Sequence, residues 1–376
     1  MIDLKTDKDL LVMKLIHYFI TNRNYKPVLV HGINNEVWLE NMDSDIKIIR
    51  IVTNYIHNSE QINFDEYKLN KLIKQIKLKT FTFNLKTMTF YIDINEDLNL
   101  TNTKNNIKVN ALDENIIFKN NDVMNYFSDI KNDFIYNEDD NLIYQKINND
   151  ILRKNLSETE KINELFKPKK PIITNILIGI MSILFILMYL FGNGSQDIKT
   201  LINFGALIDD GNILRIVTSI FLHIGIIHFL CNIYSLKLIG SKVESFYGYI
   251  KYIIIFLYSG IIGNLLSLVL TKNIISAGAS GSIFGLMGSL LYFALNQRTY
   301  MQDALRKEIL PIIIINLFIS FTPGINLYAH VGGLIGGIII STALGIKYKS
   351  SKIEKVNGTI VSIILFAILF YMSFIK

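Results

Sequence analysis

From Pro171 onward apolar residues run in long blocks separated by short charged or glycine-containing breaks. Before Pro171 they recur at the spacings of small helices and strands. A helix needs about 20 apolar residues to cross a bilayer, fewer when neighbours shield it. On that basis the chain predicts spans at 172–191, 224–240, 250–271, 277–296, 309–322, 328–346 and 357–375, the fifth of them short. Ahead of the spans, Asp9–Asn22 carries a helical period. Val28–Val30, Val37–Leu39 and Ile46–Val52 read as strands, with turn signals at Gly32 and Asn34–Asn35. Phe64–Lys79 reads as a second helix, Met88–Ile94 as a strand and Val123–Ile130 as a short helix. Asn137–Asn149, acidic and Asn-rich, reads as a mobile linker, and Ser157–Leu165 as a helix capped by Ser157 with Glu160 three residues on. The pattern therefore predicts an all-α polytopic membrane bundle behind an N-terminal α+β soluble domain. The expected divisions are the domain over 1–136, a linker and juxtamembrane segment over 137–170, six spans over 171–346 and a seventh over 347–376.

Charge sharpens this picture. Residues 1–170 carry 24 basic and 25 acidic side chains, whereas 171–376 carry 14 and 7 among the apolar runs. The net charge of +6 thus belongs to the membrane half, which excludes a simple basic nucleic-acid binder. If residue 170 is inside, the inner loops and span ends hold Lys237, Lys242, Lys251, Arg298, Arg306, Lys307, Lys347, Lys349, Lys352 and Lys355. The outer side holds only Lys199, Arg215, Lys272 and Lys376. This positive-inside bias predicts a cytoplasmic N-terminal domain and an external C-terminus. Met1 to Leu10 is charged, so no secretory signal is expected there. With Cys231 as the one cysteine, an internal disulfide and a Cys-rich zinc site are excluded.

Ionisable groups are costly in a membrane and point to function. His223, His228 and His330 all lie in that half. His228 and Asn232 are four residues apart and share a helix face. Gly278-Ala-Ser-Gly281 stands near the start of the fourth span. A helix beginning near Ser276 would surround the Ser280 hydroxyl with free N–H groups and the positive dipole end, an environment suited to an alkoxide or oxyanion. Tyr328-Ala-His330 opens the sixth span. Spans two, four and six run in the same direction, so three segments bring a nucleophile, a base and donors to one depth beneath the outer face. Gly281 and Gly285, Gly333 and Gly337, and Gly332 and Gly336 are each four apart, a spacing that lets helix backbones approach closely.

These residues resemble the signature of rhomboid intramembrane serine proteases: Gly278-Ala-Ser280-Gly281, Ala329-His330 followed by glycines, and His223 with His228 and Asn232. The resemblance covers about 172–346. It implies Ser280 as nucleophile, His330 as general base, and His228, Asn232 and the Ser280 backbone N–H as an oxyanion hole. It further implies that Phe284 packs against the base, that Arg215 is structural in the first outer loop, and that Glu244 is structural at the inner end of span two. Leu214 stands where the family usually has an aromatic residue, which loosens the expected seat of that loop in the bilayer. No Asp or Glu lies within spans four or six, so a Ser-His dyad is expected, and no cofactor or metal is implied. Substrates would be single-span membrane proteins cleaved near the outer face. The loop 192–222 and the fifth span would be the movable walls.

Two other readings compete. A rhomboid-like protein that binds membrane helices without cutting them typically lacks the serine or the histidine, and both are present. A histidine-lined transporter or channel would carry acidic partners within its spans, which are missing. The N-terminal domain is less specific. His17, His31 and His57 are too widely spread for a metal site, and Asp45-Ile46-Lys47 is similar to nuclease-like α/β folds over three residues only. A regulatory or substrate-recruiting role, or sensing of a cytosolic ion or ligand, is expected for it.

Overall fold

A computed structural model of the chain describes residues 7–28, 30, 35–80, 82, 84–135, 140–271 and 275–375. The turn signals at Gly32 and Asn34, Leu29 in the middle of the strand expected at 28–30, His31, Lys272 and Lys376 lie outside the described residues. The chain divides into two compact units, 1–160 and 161–376.

The first unit is α+β. Its elements are α1 (Asp7–His17), β1 (Lys26–Pro27), β2 (Glu36–Glu40), β3 (Ile46–Val52), α2 (Ser59–Thr80), β4 (Lys86–Tyr91), β5 (Asn106–Asn110), α3 (Glu114–Lys119) and α4 (Asn121–Tyr126). The sheet order is β1-β2-β3-β4-β5, antiparallel through β3 and parallel from β3 to β5. Parallel neighbours need a crossover, and α2 supplies the one between β3 and β4. β3 is buried on both faces, which explains its nearly continuous apolar run. Ile49 and Ile51 join Phe19, Leu39, Met88 and Phe90 in one cluster, and Ile48 packs with Trp38, Leu69 and Ile73 of α2 in another.

Arg50 interrupts the β3 run yet is buried, and its guanidinium binds Glu36 at 2.6 and 2.7 Å and Asp65 at 2.5 and 2.6 Å. Tyr91 donates a further hydrogen bond to Asp65 at 2.8 Å. Burial works against the charge on Arg50, and the bonds from Asp65 and Glu36 outweigh it, holding the guanidinium above its ordinary pKa. A buried charge is tolerated only when paired in this way.

Two expectations about this half are corrected. The linker expected over 137–149 is helical from Asp140 onward, the first part of α5 (Asp140–Phe166). The Asn-rich composition concealed the signal: Ile143 and Ile147, four apart on one helix face, are both buried. Ser157 consequently sits inside α5 instead of capping a new helix. The strand β5 was not anticipated, although Ile107 and Val109 alternate with polar neighbours as a strand requires.

The second unit is helical: α6 (Ile172–Leu190), α7 (Ile198–Phe204), α8 (Arg215–Thr218), α9 (Ile226–Ser235), α10 (Ser241–Tyr247), α11 (Tyr249–Leu270), α12 (Ser280–Asn296), α13 (Arg298–Ala304), α14 (Leu310–Ile319), α15 (Leu327–Leu344) and α16 (Lys352–Phe374). Among the described residues α6, α11, α15 and α16 are each long and apolar enough to cross a membrane. The pair Arg215–Phe221 and Ile226–Tyr247, bent by 90°, would make a fifth if it is one span. α12 is apolar but has only 17 residues. The fifth span expected at 309–322 is not an isolated short helix. A π-helical turn, Leu305–Ile309, joins α13 to α14, so the run begins at Arg298. Arg306, Lys307 and Glu308 had masked that continuity in the apolar pattern. On α6, Ile172, Ile176, Ile180 and Ile183 are exposed at helical spacing, as side chains facing lipid would be.

Candidate active site

Ser280 is the first residue of α12, four residues later than the expected helix start. The delay has a backbone cause. Leu207 and Ser276 form an antiparallel bridge, and the Gly278 N–H donates to Ser219 O at 3.0 Å, so the chain remains extended up to Gly278. Gly278 has φ +153°, and a Cβ there would stand 2.7 Å from His228 Cε1. Only glycine fits this approach without strain. Ser280 thereby stands in the first turn, where backbone N–H groups have no intrahelical acceptor.

α15 brings His330 to the same place. Its N-cap is Asn326, whose side-chain oxygen accepts from the Ala329 N–H at 3.1 Å. The Asn326 amide also donates to Ser267 of α11 at 2.7 Å and to Ser276 at 3.1 Å. One side chain thus ties α11, the segment before Ser280 and the segment before His330. The His330 ring stacks on Phe284, one turn after Ser280, with centroids 4.3 Å apart and planes 17° from parallel. His330 Nδ1 lies 2.6 Å from Ser320 Oγ, at the end of α14.

The approach of α12 to α15 depends on small residues. A Cβ on Gly333 would overlap the Gly281 carbonyl oxygen, and one on Gly337 the Gly285 carbonyl oxygen. On the opposite side of α15, a Cβ on Gly332 would stand 3.0 Å from Gly263 Cα and one on Gly336 3.1 Å from Ile262 Cβ, both on α11. Backbone meets backbone along both seams.

Ser280, His330, His228, Asn232, Phe284, Gly278 and Gly281 line one cavity of about 740 Å³. Ile227, Tyr234 and Ile319 line it as well and are at least half exposed, so its mouth is apolar. Among the described residues Ser280 Oγ has no hydrogen-bond partner, so it is not bonded to His330 in this arrangement. Catalytic hydrogen bonds are often long in an empty site and tighten with substrate. Asn232 Nδ2 donates to His228 O at 2.8 Å. An amide nitrogen carries two protons, which leaves one for a ligand.

The remaining residues singled out in the sequence stand outside the lining. His223 is buried, its ring 5.6 Å from that of His228 and 5.5 Å from that of Phe229. Arg215 Nη1 donates to Ile202 O at 2.7 Å and Ala206 O at 2.9 Å, and Nε to Asp210 at 2.8 Å, tying the start of α8 to the end of α7 and to the loop between them. Glu244 is fully buried and accepts from the Ile173 and Thr174 N–H groups, each at 2.8 Å, and from the Thr174 hydroxyl at 2.6 Å. It caps α6 across the bundle, a carboxylate at the positive end of a helix. Ser320, Asn326 and Asn264 were not anticipated. Asn264 of α11 donates to Ile216 O at 2.9 Å and Ser219 Oγ at 3.0 Å, holding the segment that receives Gly278. Only Asn326 had a sequence signal, an Asn immediately before an apolar helix. Among the described residues no group of three or more His, Cys, Asp or Glu side chains could hold a metal ion.

Known proteins share this part of the chain. A family model described as the Rhomboid domain matches residues 210–347. Rhomboid protease GluP of Bacillus subtilis is 41% identical over 187 residues, 48% of this chain and 36% of that protein. RHOMBOID-like protein 7 of Arabidopsis thaliana is 30% identical over 180 residues, 46% of this chain and 58% of that protein. The chain therefore covers less than two thirds of either relative. It covers 73% of YdcA of Bacillus subtilis, which is also described as a rhomboid protein, at 33% identity over 148 residues. With that coverage and the family-model match, the chain belongs to the rhomboid family of multi-pass membrane proteins.

Proposed function

We propose that this chain is an intramembrane serine endopeptidase that cleaves single-span membrane proteins near the outer face of the bilayer. The observation that carries the reading is the convergence of Ser280 and His330 with Gly278, His228 and Asn232 on one cavity with an apolar mouth. In this reading Ser280 Oγ attacks the peptide carbonyl while the His330 nitrogen not engaged by Ser320 takes its proton. The tetrahedral oxyanion is held by the Ser280 backbone N–H, the free Asn232 amide proton and His228. One such donor is worth about 10²–10³ in rate. Collapse breaks the C–N bond, and the leaving amine takes the proton from His330. Water then attacks the acyl-enzyme with His330 again as base, releasing the acid and restoring Ser280. With no carboxylate in α12 or α15, the pair works as a dyad, and the Phe284 stack fixes the plane of the imidazole.

The charge asymmetry supports a cytoplasmic N-terminal domain, seven spans and an external C-terminus. A reporter fused after residue 165 is expected inside and one fused after residue 376 outside. Both on one side would remove a span from this topology.

The reading also sets the substrate. α12 has 17 residues, about 25 Å at 1.5 Å each, less than a hydrocarbon core of about 30 Å. Its first residue then lies beneath the outer surface, and a substrate bond must arrive there unwound. Each backbone group left unpaired in hydrocarbon costs several kcal/mol. Favoured substrates therefore have a span with Gly, Pro or polar residues at its outer end and a small residue before the cut bond. In liposomes, replacing that end with a Leu-rich helix and, separately, the small residue with Phe should each slow cleavage at least tenfold. Unchanged rates through both replacements would contradict this mode of selection. For the N-terminal domain the reading is a regulatory or substrate-recruiting module on the cytosolic side.

A further inference from the structure

We propose that Ser320 is a positioning residue for His330, holding the imidazole in the tautomer that carries its proton on Nδ1 and leaves Nε2 free to receive the Ser280 proton. The inference rests on the reading of Ser280 and His330 as nucleophile and base, and it adds a residue that neither the motif nor the apolar pattern marks.

Ser320 Oγ makes two contacts: 2.7 Å to Asn316 O and 2.6 Å to His330 Nδ1. A serine hydroxyl has one proton, and a carbonyl oxygen can only accept. If that proton went to Nδ1, Oγ and Asn316 O would face each other at 2.7 Å with nothing between them, two lone-pair-bearing oxygens in repulsion. Both contacts are satisfied in one arrangement only: Ser320 Oγ–H donates to Asn316 O, and His330 Nδ1–H donates to Ser320 Oγ. Ser320 is 2% exposed and His330 7%, so water offers little competition.

The ring is then constrained in two independent ways. Stacking on Phe284 fixes its plane, and the bond to Ser320 fixes its rotation within that plane and its proton. A neutral hydroxyl does this without the charge of a triad carboxylate, so it selects the tautomer while adding little to stabilisation of the imidazolium. The group comes from α14, whereas the base is on α15 and the nucleophile on α12, so a third helix end completes the site.

The test compares the intact protein with Ser320→Ala, Ser320→Thr, Ser280→Ala and His330→Ala in liposomes, using one single-span substrate, with nitrogen NMR of labelled histidine. Partners that fix the tautomer of a metal-binding imidazole are typically worth about 10–100-fold in activity, and the same order is expected for this neutral partner of a base. Ser320→Ala is expected to lower kcat by that factor with KM changed less than about twofold, and Ser320→Thr, which keeps the hydroxyl, to restore most of the loss. The His330 signal, identified by its absence in His330→Ala, is expected to show the proton on Nδ1 in the intact protein and on Nε2 in part of the Ser320→Ala molecules. A kcat in Ser320→Ala equal to that of the intact protein would overturn the proposal. A proton on Nε2 in the intact protein would overturn it even if Ser320→Ala failed to fold. Cleavage persisting in Ser280→Ala or His330→Ala is a different result, which removes the dyad itself.

Discussion

Ser280→Ala and His330→Ala will each lower cleavage of a single-span substrate by about 10⁴-fold or more, and the double variant will be scarcely worse than either. The non-additivity follows from the two residues acting as one unit: a base without its nucleophile, or the reverse, does nothing for proton transfer. The variants should differ in stability. Ser280 Oγ has no hydrogen-bond partner among the described residues, so its loss should leave thermal unfolding almost unchanged. His330→Ala removes the stack on Phe284, worth about 0.5–1.5 kcal/mol, and the bond to Ser320. Its melting temperature should fall measurably while the protein remains inserted. Cleavage rates near the parent value in either variant would remove the assignment.

The second large effect belongs to the seam between α12 and α15. Gly337→Val and Gly333→Val each place a branched side chain against a backbone carbonyl, of Gly285 and Gly281 respectively. A backbone carbonyl within a helix cannot step aside as a flexible side chain can, so the helices must part. Overpacking of a core usually costs about 1–3 kcal/mol, and here the obstacle is main chain on both sides, which puts the cost at or above the top of that range. Separation by even about 1 Å displaces His330 from Ser280 and is expected to cost at least 10²-fold in cleavage rate. Gly179→Ala on α6 is the matched control, because a Cβ there meets nothing within 4 Å. It should retain both stability and activity. Cleavage assays paired with thermal unfolding in detergent check both. Wild-type behaviour of Gly337→Val would show that the helices are not in backbone contact.

Much of the second unit was legible because membrane helices announce themselves by composition, and because Gly and His are conspicuous among Ile and Leu. Ser280, His330, His228 and Asn232, chosen by spacing and depth, do line one cavity. What escaped had no local signature. Ser320 lies in Phe318-Ile-Ser-Phe321, indistinguishable from a packing serine until α14 and α15 are brought together. The onset of α12 at Ser280 differs from the expected start near Ser276 because the delay comes from the positive φ of Gly278, which the apolar pattern does not mark. In the first unit the error at 140–149 arose from weighing composition above period. Two buried isoleucines four apart outweigh a run of Asn and Asp, since burial of one apolar stripe stabilises a helix more than intrinsic propensity opposes it. β5 was missed for a related reason: five residues with two apolar positions give little signal until β4 supplies a partner.

The central claim is that Ser280 is a nucleophile activated by His330. The most direct measurement treats the protein in liposomes with a fluorophosphonate and locates the adduct by mass spectrometry of its peptides. The account predicts a single modified residue, Ser280, with labelling at least 10²-fold slower in His330→Ala. Labelling of the intact protein that is absent at Ser280, or as fast in His330→Ala as in the parent, would contradict it.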